Sequence, residues 1–173
     1  IVASYEGTGL RIVQFNLGVL SHYSYLLISD GKVLAVDPGR DIEAYLAYAN
    51  DQKLEWVGTF LTHSHADFVA GHTEMAAATG KPVFVSHKSG AEYPHLELKD
   101  DSSIEVGKAL LKIMETPGHT PDSLCGVVSP AAIPDKQEFL LSGDTLFVGS
   151  LGRPDLMGGS YSAAELAGMM FDT

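Results

Sequence analysis

Eight residues, LTHSHADF at positions 61–68, decide both the predicted fold and the predicted site. They follow the short apolar run from Trp56 to Leu61, which is typical of a buried strand. They lead into the segment from Phe68 to Thr79, which has a helical composition and is followed by Gly80, a common helix end. The two histidines of the stretch are therefore expected in a loop at the carboxyl end of a strand, where open α/β sheets bind ligands.

Two imidazoles and a carboxylate make this loop a candidate metal site. His63, His65 and Asp67 alternate along the chain, so their side chains would point the same way in an extended segment. Imidazole suits Zn, Fe, Cu and Ni, and a carboxylate adds a harder, charged ligand. A structural alternative stays open, in which the loop is a polar strand end and Asp67 is the N-cap of the following helix.

The composition describes one acidic domain. The chain has 173 residues, of which 45% are apolar and 19% are charged, so it has enough apolar material for a core and too little charge for disorder. We therefore expect a single domain over residues 1–173. The net charge of −11 repels phosphates and anionic lipids, which excludes nucleic acids and membrane surfaces as expected partners. The single cysteine, Cys125, excludes an internal disulfide bond.

The rest of the chain alternates predicted strands with single helices. Runs rich in β-branched and aromatic residues predict strands over Arg11 to Phe15, Tyr23 to Ile28, Lys32 to Val36, Pro82 to Ser86, Ile104 to Val106, Ala109 to Glu115, Leu124 to Val128 and Glu138 to Ser142. Helical spacing predicts one helix over Asp41 to Asn50 and another through Phe171, after a capping box at Ser162 to Glu165. This order predicts an α/β sandwich with the sheets in the middle and the helices outside.

Two more strand ends carry residues of the same chemistry. His119 lies in the segment TPGHT after a predicted strand, and Asp144 lies in GDT after the apolar run that ends at Leu141. Both positions are far from His63 in the sequence, so only folding can bring the three groups together. Ligands from three strand ends along one rim of a sandwich would form a metal cage.

These motifs, in this order, resemble the metallo-β-lactamase superfamily. The resemblance extends from about Arg11 to the end of the chain and implies the αββα sandwich, which we expect to lack its C-terminal part here because the chain stops within a predicted helix. Three segments narrow the resemblance: VDPGRD at 36–41, GDTLFVG at 143–149 and GRPDL at 152–156. They are similar to the persulfide dioxygenases, also called sulfur dioxygenases, and to their rhodanese-fused relatives. Glyoxalase II, a thioester hydrolase, is the neighbouring branch.

Two departures from the superfamily pattern concern a second metal. The pattern usually reads His-x-His-x-Asp-His, but Phe68 occupies the sixth position, and the final superfamily histidine has no counterpart before Thr173. Glyoxalase II-like enzymes hold a second metal with those two histidines, whereas persulfide dioxygenases need one iron. The resemblance assigns that iron to His63, His119 and Asp144 and implies one Fe(II) per chain, with zinc as the alternative. Two histidines and one carboxylate leave positions open for O₂ and substrate, as in non-haem iron oxygenases.

The implied reaction is the oxidation of a low-molecular-weight persulfide, of the glutathione persulfide type, by O₂ to sulfite and thiol. His65 and Asp67 would stand beside the metal and assist catalysis by orienting its ligands through hydrogen bonds. Arg153 would bind a carboxylate of the substrate. The alternative for Arg153 is an internal ion pair with Asp155 or Asp37.

Two other function classes stay open. One is a zinc-dependent thioester hydrolase of glyoxalase II type, in which the metal activates water. The other is a degenerate, non-catalytic domain that serves as a binding module. For the leading interpretation we expect a small persulfide and O₂ as ligands and a rhodanese domain as a fused neighbour or partner, and we leave a homodimer open. Intracellular sulfur metabolism favours the cytoplasm, with the periplasm as the alternative if a leader was removed.

Overall fold

Two β-sheets pack face to face with helices outside them, which confirms the predicted fold class. The computed structural model describes residues 1–18, 22–156 and 160–173. The strands are β1 (Ala3–Glu6), β2 (Arg11–Asn16), β3 (Tyr23–Ser29), β4 (Lys32–Val36), β5 (Glu55–Phe60), β6 (Val83–Ser86), β7 (Leu96–Leu98), β8 (Ser103–Val106), β9 (Ala109–Glu115), β10 (Leu124–Pro130), β11 (Phe139–Leu141), β12 (Leu146–Phe147) and β13 (Ser150–Leu151). The helices are α1 (Glu43–Asp51), α2 (His72–Thr79) and α3 (Ala163–Phe171).

The first sheet contains seven strands in the order β1 to β7. Its first half is antiparallel, and β3 and β4 are joined by a turn at Asp30 and Gly31, which both have positive φ angles of 47° and 75°. This is the backbone geometry that tight hairpins favour. Its second half, from β4 to β7, is parallel, with Val36 of β4 opposite Phe60 of β5. The chain therefore leaves β4 and β5 side by side, at the same edge of the sheet.

The second sheet contains four antiparallel strands in the order β11, β10, β9, β8. Strands β9 and β11 both run antiparallel to the β10 strand between them, so they run in the same direction. Glu115 at the end of β9 and Leu141 at the end of β11 consequently lie at the same edge, on either side of β10. This topology places the loop that carries His119 and the loop that carries Asp144 close together.

The core lies between the two sheets and continues under the helices. Leu27, Leu34 and Phe60 of the first sheet pack against Leu111 and Ile113 of the second, and none of these five side chains is measurably exposed. A second apolar layer covers the other face of the first sheet, where α1 and α2 pack. Within the described residues, no helix combines the length and the apolar composition needed to cross a bilayer.

The structure differs from the sequence prediction at one helix end and at four short strands. The helix predicted from Phe68 begins at His72, because the amide of Gly71 donates to the carbonyl of Pro38 (2.7 Å) and Ala70 pairs with Gly39. These bonds hold the preceding residues as a loop against the end of β4. Strands β1, β7, β12 and β13 were not predicted, because each has only two to four residues and most of them are exposed.

The last helix supports the loop that carries His119. It begins with the predicted capping box, in which Ser162 and Glu165 exchange hydrogen bonds between side chain and backbone. The helix packs on Gly118, where an added Cβ would lie 2.4 Å from the Cβ of Met170, and the φ angle of Gly118 is +150°. Only glycine therefore fits the Pro-Gly-His turn at this close approach.

Gly118→Ala should lower the free energy of unfolding by about 1–3 kcal/mol, because the added methyl group overpacks the contact with Met170. Gly168→Ala is the matched control, since its Cβ would meet nothing within 4 Å in the same helix. We expect it to raise the stability by about 0.5–1 kcal/mol. Urea denaturation measures both changes. Unchanged stability of Gly118→Ala would contradict the packing of α3 on this turn.

Candidate metal centre

The structure brings together three side chains from three strand ends. His63 follows β5, His119 follows β9 and Asp144 follows β11, and one potential ligand atom of each lies within 4.8 Å of the others. The Nε2 atom of His119 is 3.6 Å from Oδ2 of Asp144. His63 is 5% exposed, whereas Asp144 is more open to solvent. Two imidazoles and one carboxylate at these separations form a donor set that fits zinc or iron.

Hydrogen bonds fix which nitrogen of His63 can bind a metal. The hydroxyl of Thr62 donates to Oδ2 of Asp37 (2.7 Å), because a carboxylate can only accept. The same hydroxyl oxygen must then accept from Nδ1 of His63, at 3.0 Å. This leaves Nε2 of His63 with a free lone pair. Burial, followed by the neighbouring His65, lowers the pKa of His63 to about 4, so the ring is neutral at pH 7.

His119 is oriented in the same way by a backbone carbonyl. Its Nδ1 donates to the carbonyl oxygen of Arg153 at 3.1 Å, and a carbonyl can only accept. Its Nε2 therefore carries the lone pair, and this atom is the one beside Asp144. An imidazole whose second nitrogen is held by a carbonyl or carboxylate is typical of metal-binding histidines.

Asp37 organises the loop and was missed as a site residue by the sequence analysis. It follows β4, is 3% exposed and has a positive φ angle of 47°. Its carboxylate accepts from the amide of Thr62 (2.8 Å), from the Thr62 hydroxyl and from Nε2 of His65 (2.9 Å). Burial alone would raise the pKa of Asp37, but the charge and hydrogen bond of His65 hold it below its usual value. A carboxylate directly after a buried strand was the signal available in the sequence.

His65 lies beside the three clustered residues, and Asp67 lies at the surface. The ring centre of His65 is 4.1 Å from that of His63, and its side chain is 4% exposed. Burial would lower the pKa of His65, but the charge of Asp37 raises it above its usual value. Asp67 is exposed, and the N-cap of α2 is Gly71. The charge of Asp67 contributes to the raised pKa of His65, and its direction relative to the two histidines stays a prediction. Its alternative as a helix cap was wrong, because residues 61–71 precede the helix.

Arg153 forms an ion pair with Asp155, which the sequence analysis gave as the alternative to substrate binding. Its guanidinium donates two hydrogen bonds to Asp155, at 3.1 and 2.8 Å, and its side chain is 67% exposed. The part of Arg153 that reaches the site is its backbone carbonyl, which binds His119. A role of the guanidinium in binding a substrate carboxylate stays a prediction.

Phe68 packs against two histidines at the position that is usually a ligand in the superfamily pattern. Its ring centre lies 3.9 Å from that of His22 and 4.4 Å from that of His65. His22 was not predicted as a site residue, because nothing near it in the sequence suggests a ligand. Its Nε2 donates to the carbonyl of Asp37 at 3.1 Å. A phenyl ring has no lone pair to donate, so Phe68 adds only an apolar wall.

Two cavities adjoin these residues. The larger has a volume of about 470 Å³ and is lined by Asp144, His65 and His22 at one end. The smaller has a volume of about 330 Å³ and is lined by His63, His65 and Phe68. His65 borders both cavities, and each cavity also contacts one of the three clustered residues, Asp144 in the larger and His63 in the smaller.

The sequence model of the Metallo-beta-lactamase superfamily matches residues 17–171 of the chain. Among curated relatives, the chain is 32% identical over 136 residues to a hydroxyacylglutathione hydrolase from Bdellovibrio bacteriovorus, covering 76% of this chain and 51% of the relative. The chain thus spans about half the length of that relative.

Solved structures of proteins with this fold are also similar to the chain. A metallo-beta-lactamase from Staphylococcus aureus superposes with a TM-score of 0.84 and 32% identity, covering 95% of this chain and 51% of the other. ETHE1 from Myxococcus xanthus superposes with a TM-score of 0.77 and 25% identity, covering 90% of this chain and 65% of the other. The common fold therefore extends over nearly all of the present chain.

His63→Ala, His119→Ala and Asp144→Ala should each abolish metal binding, because each removes one of three ligands. His65→Ala should weaken metal affinity by about 10–100-fold, the usual effect of losing a residue that orients ligands. His95→Ala is the control, since its Nδ1 bonds the carbonyl of Tyr93, away from the cluster. Calorimetric titration with Fe(II) and Zn(II), with elemental analysis, measures the series. Complete loss of metal in His65→Ala would make His65 a direct ligand.

Proposed function

The chain belongs to the Metallo-beta-lactamase superfamily, and we propose that it is a mononuclear iron dioxygenase that oxidises the persulfide group of a low-molecular-weight thiol. The observation that carries this proposal is the combination of a complete three-residue ligand set with Phe68, which packs on the adjacent His65 and lines the same cavity as His63. The set suffices for one metal ion. The phenyl ring withholds a ligand from a second ion, which a two-metal hydrolase would need.

The proposed reaction is RSSH + O₂ + H₂O → RSH + SO₃²⁻ + 2 H⁺. Both atoms of O₂ and the oxygen of water end on the terminal sulfur, the S–S bond breaks, and the thiol leaves with a proton. The sulfur loses the four electrons that O₂ gains. An iron(II) ion held by His63, His119 and Asp144 would supply the redox chemistry and the open coordination positions that this reaction requires.

The chain's own residues hold the site in the state that such an ion needs. Asp37 and Thr62 keep the Nδ1 proton of His63 in place, and the carbonyl of Arg153 does the same for His119. Both Nε2 atoms are therefore available as ligands before any metal arrives. Phe68 limits the water around this wall of the site, which suits a neutral gas and a polarisable sulfur.

Thioester hydrolysis is the second candidate, because the curated relatives include a hydroxyacylglutathione hydrolase at 32% identity. That reaction needs a metal-activated water as nucleophile. Zinc would fit the same three residues. Phe68 weighs against this candidate in its two-metal form, since it cannot replace the histidine ligand that the superfamily pattern has there.

Metal content and oxygen uptake together test the two candidates. Protein produced with adequate iron should hold about one Fe per chain. It should consume O₂ and release sulfite with at least one of glutathione persulfide and N-acetylcysteamine persulfide, and it should not consume O₂ with the parent thiols alone. His119→Ala is the inactive control. Two zinc ions per chain with hydrolysis of S-lactoylglutathione, and no oxygen uptake, would replace the dioxygenase proposal by the hydrolase.

Phe68→His should create weak binding of a second metal ion and lower the rate of oxygen uptake, because it places an imidazole next to the cluster and makes the wall polar. Phe68→Leu is the matched control, since it stays apolar and cannot ligate. Zinc titration of the iron-loaded proteins, with oxygen uptake followed in parallel, measures both effects. If Phe68→His binds the same amount of zinc as Phe68→Leu and turns over equally fast, Phe68 is a packing residue only.

A further inference from the structure

The larger cavity runs from the candidate metal centre along the space between the two sheets. Asp144 and His65 line it on the side of the candidate metal centre. Its walls are Tyr25 of the first sheet and Phe139 and Leu141 of the second, which border the core between the sheets. A volume of about 470 Å³ lies within the usual range for small-molecule sites. We assign the part of a persulfide substrate beyond its sulfur atoms to this cavity, the larger of the two that adjoin the site.

A row of uncharged polar groups follows one wall of this cavity. The hydroxyl of Tyr5 donates to the side-chain oxygen of Gln14 at 3.2 Å, and the Gln14 amide nitrogen donates to the hydroxyl of Tyr25 at 3.5 Å. No hydrogen bond among the described residues uses the hydroxyl hydrogen of Tyr25. Burial raises the pKa of Tyr25, so this group is a neutral donor at pH 7. The wall thus offers hydrogen bonds to amides and hydroxyl groups.

Among the described residues that line the cavity, neither lysine nor arginine is present. Its two acidic residues are already engaged, because Asp37 accepts hydrogen bonds from Thr62 and His65 and Asp144 is one of the three proposed metal ligands. The undescribed residues 19–21 and 157–159 are Val, Leu, Ser, Met and two Gly, so they carry no charge. Arg153 does not line the cavity, and its guanidinium is paired with Asp155.

The mouth of the cavity is apolar. It is formed by three hydrophobic side chains, all at least 46% exposed: Leu146, Phe147 and Val148. A carboxylate that entered here would lose hydration without gaining a lysine or arginine partner among the described residues that line the cavity. An uncharged tail would instead bury apolar surface against the mouth and the walls.

We infer that the substrate is a persulfide with an uncharged tail, apolar or bearing amide and hydroxyl groups, and that this cavity discriminates against the carboxylate-bearing tail of glutathione. The inference rests on the proposed function and narrows its substrate class. It is independent of which residues complete the metal site, because it depends on the charge of the cavity wall alone.

Two persulfides that differ by one carboxylate test the inference. The persulfides of N-acetylcysteamine and N-acetylcysteine are otherwise identical. With the iron-loaded protein, kcat/KM for oxygen uptake should be at least tenfold higher for N-acetylcysteamine persulfide. Equal values, or a preference for N-acetylcysteine persulfide, would overturn the inference while leaving the dioxygenase proposal in place.

Binding provides a readout that does not need turnover. The S-methyl derivatives of the same two thiols, titrated calorimetrically, should show the same order of affinity. If neither persulfide supports oxygen uptake, the dioxygenase proposal fails, and the binding order alone decides whether the cavity selects uncharged tails. Absence of any difference in binding would overturn the inference.

A cation placed in the wall should weaken the discrimination. Gln14→Arg puts a guanidinium beside Tyr25 and should reduce the preference for N-acetylcysteamine persulfide at least threefold, whereas the matched variant Gln14→Leu should keep it. Arg153→Ala should change the KM values of both persulfides alike. A rise in KM for N-acetylcysteine persulfide alone in Arg153→Ala would assign the carboxylate to Arg153 and would contradict the inference.

Discussion

The buried carboxylate of Asp37 is the constraint on which the candidate site depends. It lies at the end of β4, next to the end of the parallel strand β5, and it accepts three hydrogen bonds from Thr62 and His65 of the neighbouring loop. A buried charge is tolerated only when donors surround it, and the strained positive φ angle of Asp37 is held by the same bonds. Because the Thr62 hydroxyl must donate to this carboxylate, the tautomer of His63 follows. One carboxylate thus sets the hydrogen-bonding state of two histidines.

The features that the sequence predicted were local ones. The Asp30-Gly31 turn, the capping box at Ser162 and the strand ends that carry histidines each depend on a few neighbouring residues, and the structure contains all of them. The order of the superfamily motifs along the chain also predicted which strand ends carry His63, His119 and Asp144. The sandwich could therefore be predicted, although the short exposed strands could not.

What the sequence could not show depends on contacts between distant segments. The helix predicted from Phe68 starts four residues later, because Gly71 bonds to the carbonyl of Pro38 across the loop. Asp67 is exposed, which the alternation of His63, His65 and Asp67 along the sequence does not indicate. His22 reaches the site through the carbonyl of Asp37 and the rings of His65 and Phe68. Hydrophobic periodicity in the sequence does not predict such contacts, because each joins residues that are brought together only when the sheets and loops pack.

The origin of the three clustered residues has a consequence for the stability of the whole sandwich. His63 follows a strand of the first sheet, whereas His119 and Asp144 follow strands of the second. An ion bound by all three is therefore a cross-link between the two layers. A ligand that binds only the folded state adds about 2.7 kcal/mol at a free concentration one hundred times its dissociation constant. The fraction of folded protein would then depend on the free concentration of metal. Without metal the contact between the two layers would be weaker, and the chain would be more susceptible to proteolysis.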